Sequence, residues 1–594
     1  MYRAPIRELR FVLHELLEAQ SLAVCPELCE YSSELAESIL DEAGRFAETV
    51  LEPLNRRGDT EGARWTPDGV VAAPGFRDAY KQFAAGGWSQ LGTDPRYGGQ
   101  RAPQVLVTAV QELWACANLS FKLCPMLTLG AVHALELYGS EAQKQQFLPK
   151  MISGEWAGTM VLTEPQAGSD LAAIRTRALP DGDRYRVFGQ KMFITWGDHD
   201  CAANIIHMVL ARIEGAPPGV RGISLFIVPK VQLDAAGNLG SRNDVRCVSI
   251  EHKLGIHASP TCVLSFGEKD GAVGYLVGQP NRGLEYMFAM MNAARLSVGL
   301  EGYAVGERAF QHASEWARTR VQGKPPVAQP DGPATIIYHP DVKRMLLSMK
   351  AVTEAARSIA LYTALQLDIG TYQPDEKLRA AGQARGDLLI PIVKGFCTET
   401  GNETAGTGVQ VHGGMGFIEE TGAAQYVRDV RITTIYEGTT GIQANDLIGR
   451  KVGRDRGAAM HALVSDMSRE LHELSSTEGT VGALSRAALE ATELLEDSTE
   501  ALLEAHSSAP DRAMAVAVPY LKLSGYVIGG WLMAKSAALA ASRAKESGSD
   551  QSFYRAKVQT ARFYAEQVLP LAGALARVVQ AGGASVIETD AALI

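Results

Sequence analysis

The chain has 594 residues, 46% of them hydrophobic, and a formal net charge of −10. It lacks any uncharged apolar run of about 18 residues, so no transmembrane helix is predicted, and the acidic balance disfavours nucleic acid as a partner. Its cysteines (Cys25, Cys29, Cys116, Cys124, Cys201, Cys247, Cys262 and Cys397) are scattered, with no CxxC pair and no zinc-spaced histidines. That pattern predicts reduced thiols, no metal site and a cytoplasmic protein.

The opening segment, MYRAPIRELRFVLHELL, reads as an amphipathic helix and not as a signal peptide, because charges interrupt its apolar stretch. Glu8, Glu15 and Glu18 also argue against an organelle-targeting peptide. Residues 1–158 are predicted to be mainly helical, since LAESILDEAGRFAETVLEPLNRRGD repeats apolar residues at three- and four-residue steps. The run VLVTAVQELWACANLSFKLCPMLTLGAVHALELYG is apolar enough for a buried helix pair.

Residues 159–282 change character. DRYRVFGQKMFITWG, NIIHMVLARI, GISLFIVPK, RCVSIEHKLG and TCVLSFGE are short, β-branched and aromatic, with Gly, Asp and Pro between them. They predict a β domain. Helical patterning returns over 283–454, interrupted after Arg320 by the Pro/Gly-rich VQGKPPVAQPDGPATIIYHP. Residues 455–594 read as a further helical bundle, appended to the rest. The fold class is therefore α+β and multidomain.

One stretch concentrates chemistry. Gly413, Gly414 and Gly416 are followed by a lone acid, Glu437, between Ile435-Tyr436 and Gly438. Glycines let a flat ligand approach the backbone. A carboxylate among apolar groups has a raised pKa and can take a proton from a weak carbon acid. On these residues alone a second reading stands, in which the glycines make a tight turn and Glu437 is an ordinary surface acid.

Further motifs decide between the two. LTEPQAGSD (Leu162–Asp170), GQKMFIT (Gly189–Thr195), QVHGGMGF (Gln410–Phe417) and IYEGT (Ile435–Thr439) occur in one order. Together they resemble the acyl-CoA dehydrogenase family over roughly residues 40–450. The resemblance implies an N-terminal helical domain, a middle β domain and a helical bundle. It also implies an extra C-terminal helical domain, as in the family's larger bacterial members.

It further implies FAD-dependent oxidation of an acyl-CoA thioester to a trans-2-enoyl-CoA. Glu437 would be the base, while the β-hydrogen passes as hydride to flavin N5. Relatives that carry the base elsewhere have a Glu directly before the residue matching Arg295; here that residue is Ala294. The Glu437 N–H and a flavin hydroxyl would face the thioester oxygen, and Gly438 would lie beside the substrate.

By the same resemblance, Met160, Leu162 and Thr163 would contact the flavin, and Phe193 and Thr195 would line its ring. Thr439 would face the dinucleotide. Gln410, Gly413 and Gly414 would receive the adenylate end from a neighbouring subunit. Arg320, or alternatively Arg318, would meet the pyrophosphate. Ser169 and Arg295 would contact CoA. Asp170 would brace its turn, Arg428 and Asp429 would form ion pairs, and His257 and His412 would be packing residues.

The chain departs from the family pattern at Phe193, where Trp is common. The context of Arg320 is one residue short, and Gln425 and Val161 replace a basic and a small residue. At Phe193 the aromatic packing survives but any indole hydrogen bond is lost, whereas Gln425 and Val161 bear on subunit contacts more than on the chemistry. Implied partners are acyl-CoA, electron transfer flavoprotein as electron acceptor, and a second copy in a homodimer. The substrate expectation is a short or medium acyl chain, or a thioether such as 3-methylmercaptopropionyl-CoA. An acyl-CoA oxidase, or a non-catalytic scaffold of the same fold, is the alternative.

Overall fold

The β-branched runs form strands where their composition predicts them. In the computed structural model, which describes residues 2–234, 236–326, 334–546, 548 and 550–594, they build an eight-stranded sheet. Its order is Val245–Ile250, Thr261–Phe266, Arg184–Thr195, Ala272–Val277, Ile223–Pro229, Asn204–Ile213 and Trp156–Val161. The eighth strand, Arg177–Asp181, pairs with both Arg184–Thr195 and Asn204–Ile213. Inward positions such as Val187, Val209, Phe226, Val228 and Leu264 fill a dry core. Burial at about 25 cal/mol per Å² of apolar surface drives this packing.

This sheet belongs to one of two compact units, which comprises residues 45–102 and 117–294. Within it the helix Leu119–Tyr138 packs on the strand Trp156–Val161. A Cβ on Gly158 would lie 2.8 Å from Ala131 Cβ, and the Gly158 N–H donates to Thr128 Oγ1 over 2.9 Å. Asn118 interrupts the long apolar run, its side chain accepting from Phe121 N–H as an N-cap. A hairpin, Arg64–Thr66 with Gly69–Val71, lies in the region predicted to be helical. Thr66-Pro67-Asp68-Gly69 is a turn sequence, and turn chemistry overrides the helical surroundings there.

The second unit comprises residues 1–44, 103–116 and 295–594. The C-terminal helices, predicted as a further bundle, share this unit with the preceding bundle and the first residues of the chain. Charges bury at that junction. Lys557 Nζ lies 2.9 Å from Glu8 and 2.7 Å from Glu354, while Tyr554 donates to Glu15 over 2.8 Å. The Arg7 guanidinium stacks 3.9 Å over the Phe553 ring. Periodicity alone could not foresee this, because it says which face of a helix is apolar and not which partner covers it.

Two helix crossings in this unit are very close. A Cβ on Gly401, in the helix Glu376–His412, would lie 2.1 Å from the Gly302 carbonyl of the helix Gly283–Thr319. A Cβ on Gly525, in Ala517–Arg543, would meet Phe396 Cγ at 2.2 Å. The Pro/Gly-rich break after Arg320 lies partly outside the described residues, at 327–333. Among the described residues no helix is long and apolar enough to cross a membrane.

Candidate active site

The turn bearing Glu437 joins the short helical turn Arg431–Thr434 to the helix Thr440–Asp446. Glu437 and Gly438 both take left-handed backbone angles, φ +55° and +86°. For a non-glycine residue this conformation costs roughly 1–2 kcal/mol and persists only where neighbours hold it. Three side chains do so. Lys394 Nζ donates to the Gly438 carbonyl over 2.6 Å, Gln443 Nε2 donates to the Glu437 carbonyl over 3.1 Å, and the Tyr436 hydroxyl donates to Glu301.

The close crossing at Gly302 and Gly401 explains why these groups meet. It draws the backbone of Glu301 toward that of Lys394, both of which are fully buried. Arg295 lies two turns before Glu301 on the same helix and is 5% exposed, with Nη1 3.0 Å from Asp446 Oδ2. It sits in the interior, its guanidinium paired with the buried Asp446 carboxylate.

Electrostatics follow from this arrangement. Burial pushes the Glu437 carboxyl up to about 7, against the pull of Arg295 and Lys394 and with the help of Glu301. Burial likewise brings the Lys394 ammonium down to about 8, although Glu437, Glu301 and Glu399 hold it up. Neither Lys394 nor Glu301 stands in a recognisable motif. The signal available was a lone charge inside an apolar run, as in LLIPIVKGFC and LSVGLEGYAV.

In the sheet unit, LTEPQAGSD is held by a different device. Glu164 is buried and accepts from Arg175 N–H, Thr176 N–H and Thr176 Oγ1 over 2.7, 3.0 and 2.6 Å. Lys191 Nζ lies 3.0 Å from Glu164 and donates to the Leu162 carbonyl over 2.7 Å. Burial would raise the Glu164 carboxyl, but Lys191 and these donors outweigh it and bring it to about 2. The Met192 N–H donates to the Thr163 carbonyl over 3.0 Å, fixing Thr163 beside the strand Arg184–Thr195.

That strand carries a bulge. Ile194 pairs with Cys262 and Lys191 with Leu264, which leaves Met192 and Phe193 opposite Val263. Phe193 has φ +58° and is 56% exposed. A bulge re-aims a side chain, and here it turns an aromatic ring outward. Thr195 closes the pairing opposite Thr261, Met160 and Leu162 are half-buried, and Ser169 is exposed. Asp170 accepts from Ala172 N–H and so braces its turn.

The remaining predicted residues sort clearly. Gln410, Gly413 and Gly414 are exposed at the end of Glu376–His412. Gly413 needs glycine for its φ of +63°, but a Cβ on Gly414 would meet nothing within 4 Å. Among the described residues nothing requires glycine at 414. Arg318 and Arg320 are both exposed. Thr439 Oγ1 accepts from Ile442 N–H as a helix cap. The His257 ring nitrogens lie 2.9 and 3.0 Å from the backbone carbonyls of Asp59 and Lys253, with Asp59 Oδ1 3.0 Å from Nδ1, and His412 Nδ1 lies 2.7 Å from the Gly408 carbonyl. Arg428 pairs with Glu419 over 2.9 Å, and Gln425 is buried and donates to Asp429.

Family models match the chain in four consecutive pieces. The acyl-CoA dehydrogenase N-terminal domain matches residues 33–155, the middle domain 159–268, and the C-terminal domain 281–452. A model described as acetyl-CoA dehydrogenase C-terminal like matches 460–590. The chain belongs to the acyl-CoA dehydrogenase family and is an oxidoreductase.

Among relatives, it is 46% identical to the 3-methylmercaptopropionyl-CoA dehydrogenase of Ruegeria pomeroyi over 569 residues, covering 96% of each chain. It is 34% identical to the broad-specificity linear acyl-CoA dehydrogenase FadE5 of Mycobacterium tuberculosis, covering 100% of this chain and 99% of that one. The acyl-CoA dehydrogenase complexed with FAD from Bacillus anthracis shares the fold. Its TM-score is 0.74 at 21% identity, with 100% of this chain and 94% of that one covered.

Proposed function

We propose that this chain dehydrogenates an acyl-CoA between its α- and β-carbons with Glu437 as the base. The observation that carries the reading is the Glu437 carboxyl itself, held at φ +55° on a pinned turn and pushed up to about 7 by burial. A carboxylate of that basicity is a better acceptor for an α-proton than a solvated one, and remains substantially ionised at neutral pH. Its own N–H, at a fixed turn, is a suitable donor to the developing enolate oxygen. Arg295 and Lys394 keep enough positive charge nearby for the carboxyl to ionise.

The residues present fit FAD. The exposed ring of Phe193 with Thr195, and the braced segment Met160-Val161-Leu162-Thr163, would hold the flavin. The open glycine pair at 413 and 414, Gln410, Thr439 and Arg320 would hold the dinucleotide, with the adenylate end crossing between copies of a homodimer. Ser169 and Gly438 would lie against acyl-CoA. When bound, FAD supplies the acceptor for the β-hydrogen and its electron pair, and electron transfer flavoprotein is the partner that would drain those electrons. All eight cysteines are free, which fits a cytoplasmic enzyme.

The Ruegeria pomeroyi relative is named for 3-methylmercaptopropionyl-CoA, and on that resemblance we take a short thioether-bearing or linear acyl-CoA as the substrate. The test is an anaerobic titration of the flavin-loaded protein with 3-methylmercaptopropionyl-CoA and with linear acyl-CoAs of graded length. One of them should bleach the oxidised flavin in the wild type and fail to do so in Glu437→Gln. Bleaching by none of them overturns the substrate reading; bleaching of the variant at the wild-type rate overturns the base. Peroxide formed in step with product would turn the reading to an acyl-CoA oxidase.

A further inference from the structure

Lys394 is a fully buried lysine that no sequence motif marks. It lies in the helix Glu376–His412, and its ammonium donates to the carbonyl of Gly438 over 2.6 Å. A buried ammonium is costly unless it is paired and hydrogen-bonded. Lys191 also donates to a carbonyl, that of Leu162, but has the Glu164 carboxylate beside it at 3.0 Å. Lys394 donates to the peptide immediately after Glu437. With the Glu437-Gly438 turn in left-handed angles, this bond helps fix which way the peptides on either side of the base point.

We propose that Lys394 is a positioning residue for the dehydrogenation, holding the Glu437-Gly438 turn through the Gly438 carbonyl with its ammonium on the peptide next to the base. This rests on Glu437 being the base. The charged and titratable groups facing Glu437 are Arg295, Lys394 and Glu301, with Tyr436 bonded to Glu301. Those facing Lys394 are Glu437, Arg295, Glu301 and Glu399. Asp446 answers Arg295, and Thr440 donates to Glu399 over 2.7 Å. Lys394 is thus a cation bonded directly to the turn, and Arg295, the stronger influence on the Glu437 charge, is paired with Asp446.

Two properties are therefore separable. Removing the charge withdraws a group that favours ionised Glu437, so the base protonates at higher pH. Removing a carboxylate on the other side, Glu301, does the reverse. A residue that merely supported the fold would lower activity without moving the pH profile, and would not give shifts of opposite sign.

The experiment measures kcat and kcat/KM against pH, with FAD content checked by absorbance, for wild type, Glu437→Gln, Lys394→Met, Lys394→Arg and Glu301→Gln. In Lys394→Met the acid limb of kcat/KM should move up by about one pH unit, and in Glu301→Gln it should move down. Lys394→Arg should restore the limb but, because its donors are planar and offset, leave kcat at least about tenfold low. An unmoved limb in Lys394→Met overturns the proposal and leaves the role of Glu437 intact. If Lys394→Met does not fold, Lys394→Arg decides: wild-type kcat there overturns the positioning role. Full activity in Glu437→Gln overturns the base reading, and the proposal with it.

Discussion

Two buried lysines of this protein face the same cost and meet it differently. Lys191 in the sheet unit and Lys394 in the helical unit are both brought down to about 8 by burial. Lys191 has a carboxylate at 3.0 Å, and Glu164 beside it is held near 2 by that charge and by surrounding donors. Lys394 bonds a carbonyl, and the carboxyl nearest in sequence to that carbonyl, Glu437, stays near 7. A matched pair locks a loop and leaves nothing to react. An unmatched one keeps a carboxyl poised to exchange a proton, which is what a base needs and a brace must avoid.

Glu437→Gln should lose at least about 10³-fold in the rate of flavin reduction, roughly 4 kcal/mol of barrier, while still holding FAD. Stopped-flow mixing with substrate checks this. The brace responds in the other currency: Lys191→Met strands Glu164 as an unpaired buried carboxylate. It should cost about 3 kcal/mol of stability and weaken FAD retention. Denaturant unfolding and the flavin-to-protein absorbance ratio read the two effects.

A smaller effect sharpens the contrast between the units. Gly401→Ala places a methyl where the Gly302 carbonyl now lies, so the helices that align Glu301 and Lys394 must part. The cost should be about 1–3 kcal/mol, with kcat lowered, since overpacking forces backbone shifts. An unchanged kcat would show that this crossing does not align the turn.

The smallest effect is on the pH dependence of stability, and its sign differs between the two carboxyls. Glu164 is depressed to about 2, so its contribution is complete above its ordinary value of 4.5 and is lost as pH falls toward 2. Glu437 is raised to about 7, so the folded state holds a proton that the unfolded chain gives up, and stability falls as pH rises from 4.5 to 7. Thermal melts of Glu437→Gln should therefore gain on wild type by about 1 °C between mildly acidic and mildly basic buffer. A gain in the opposite direction would mean that Glu437 is not raised.

Much of this protein was legible before folding was considered. The strands Asn204–Ile213, Ile223–Pro229 and Thr261–Phe266 follow from β-branched runs bounded by Gly, Asp and Pro, because that local pattern suits a pleated, buried surface. The segments around Thr163, Gly413 and Glu437 stood out because each is contiguous, so its chemistry is written in one stretch. The hairpin at Arg64–Val71 was hidden by helical surroundings, and the break at 327–333 lies outside the described residues.

Local residue patterns specify the class of each segment and the identity of the candidate base. Packing alone brings together the groups that surround that base. Glu301 and Lys394 come from helices far apart in the chain and meet because Gly302 and Gly401 let two backbones nearly touch. Arg295 is buried against Asp446, 151 residues further along the chain. Lys557 ties the chain's last helices to Glu8 near its beginning. Contacts of this kind depend on three-dimensional distance and on the price of a buried charge, and neither is encoded in any local window of residues.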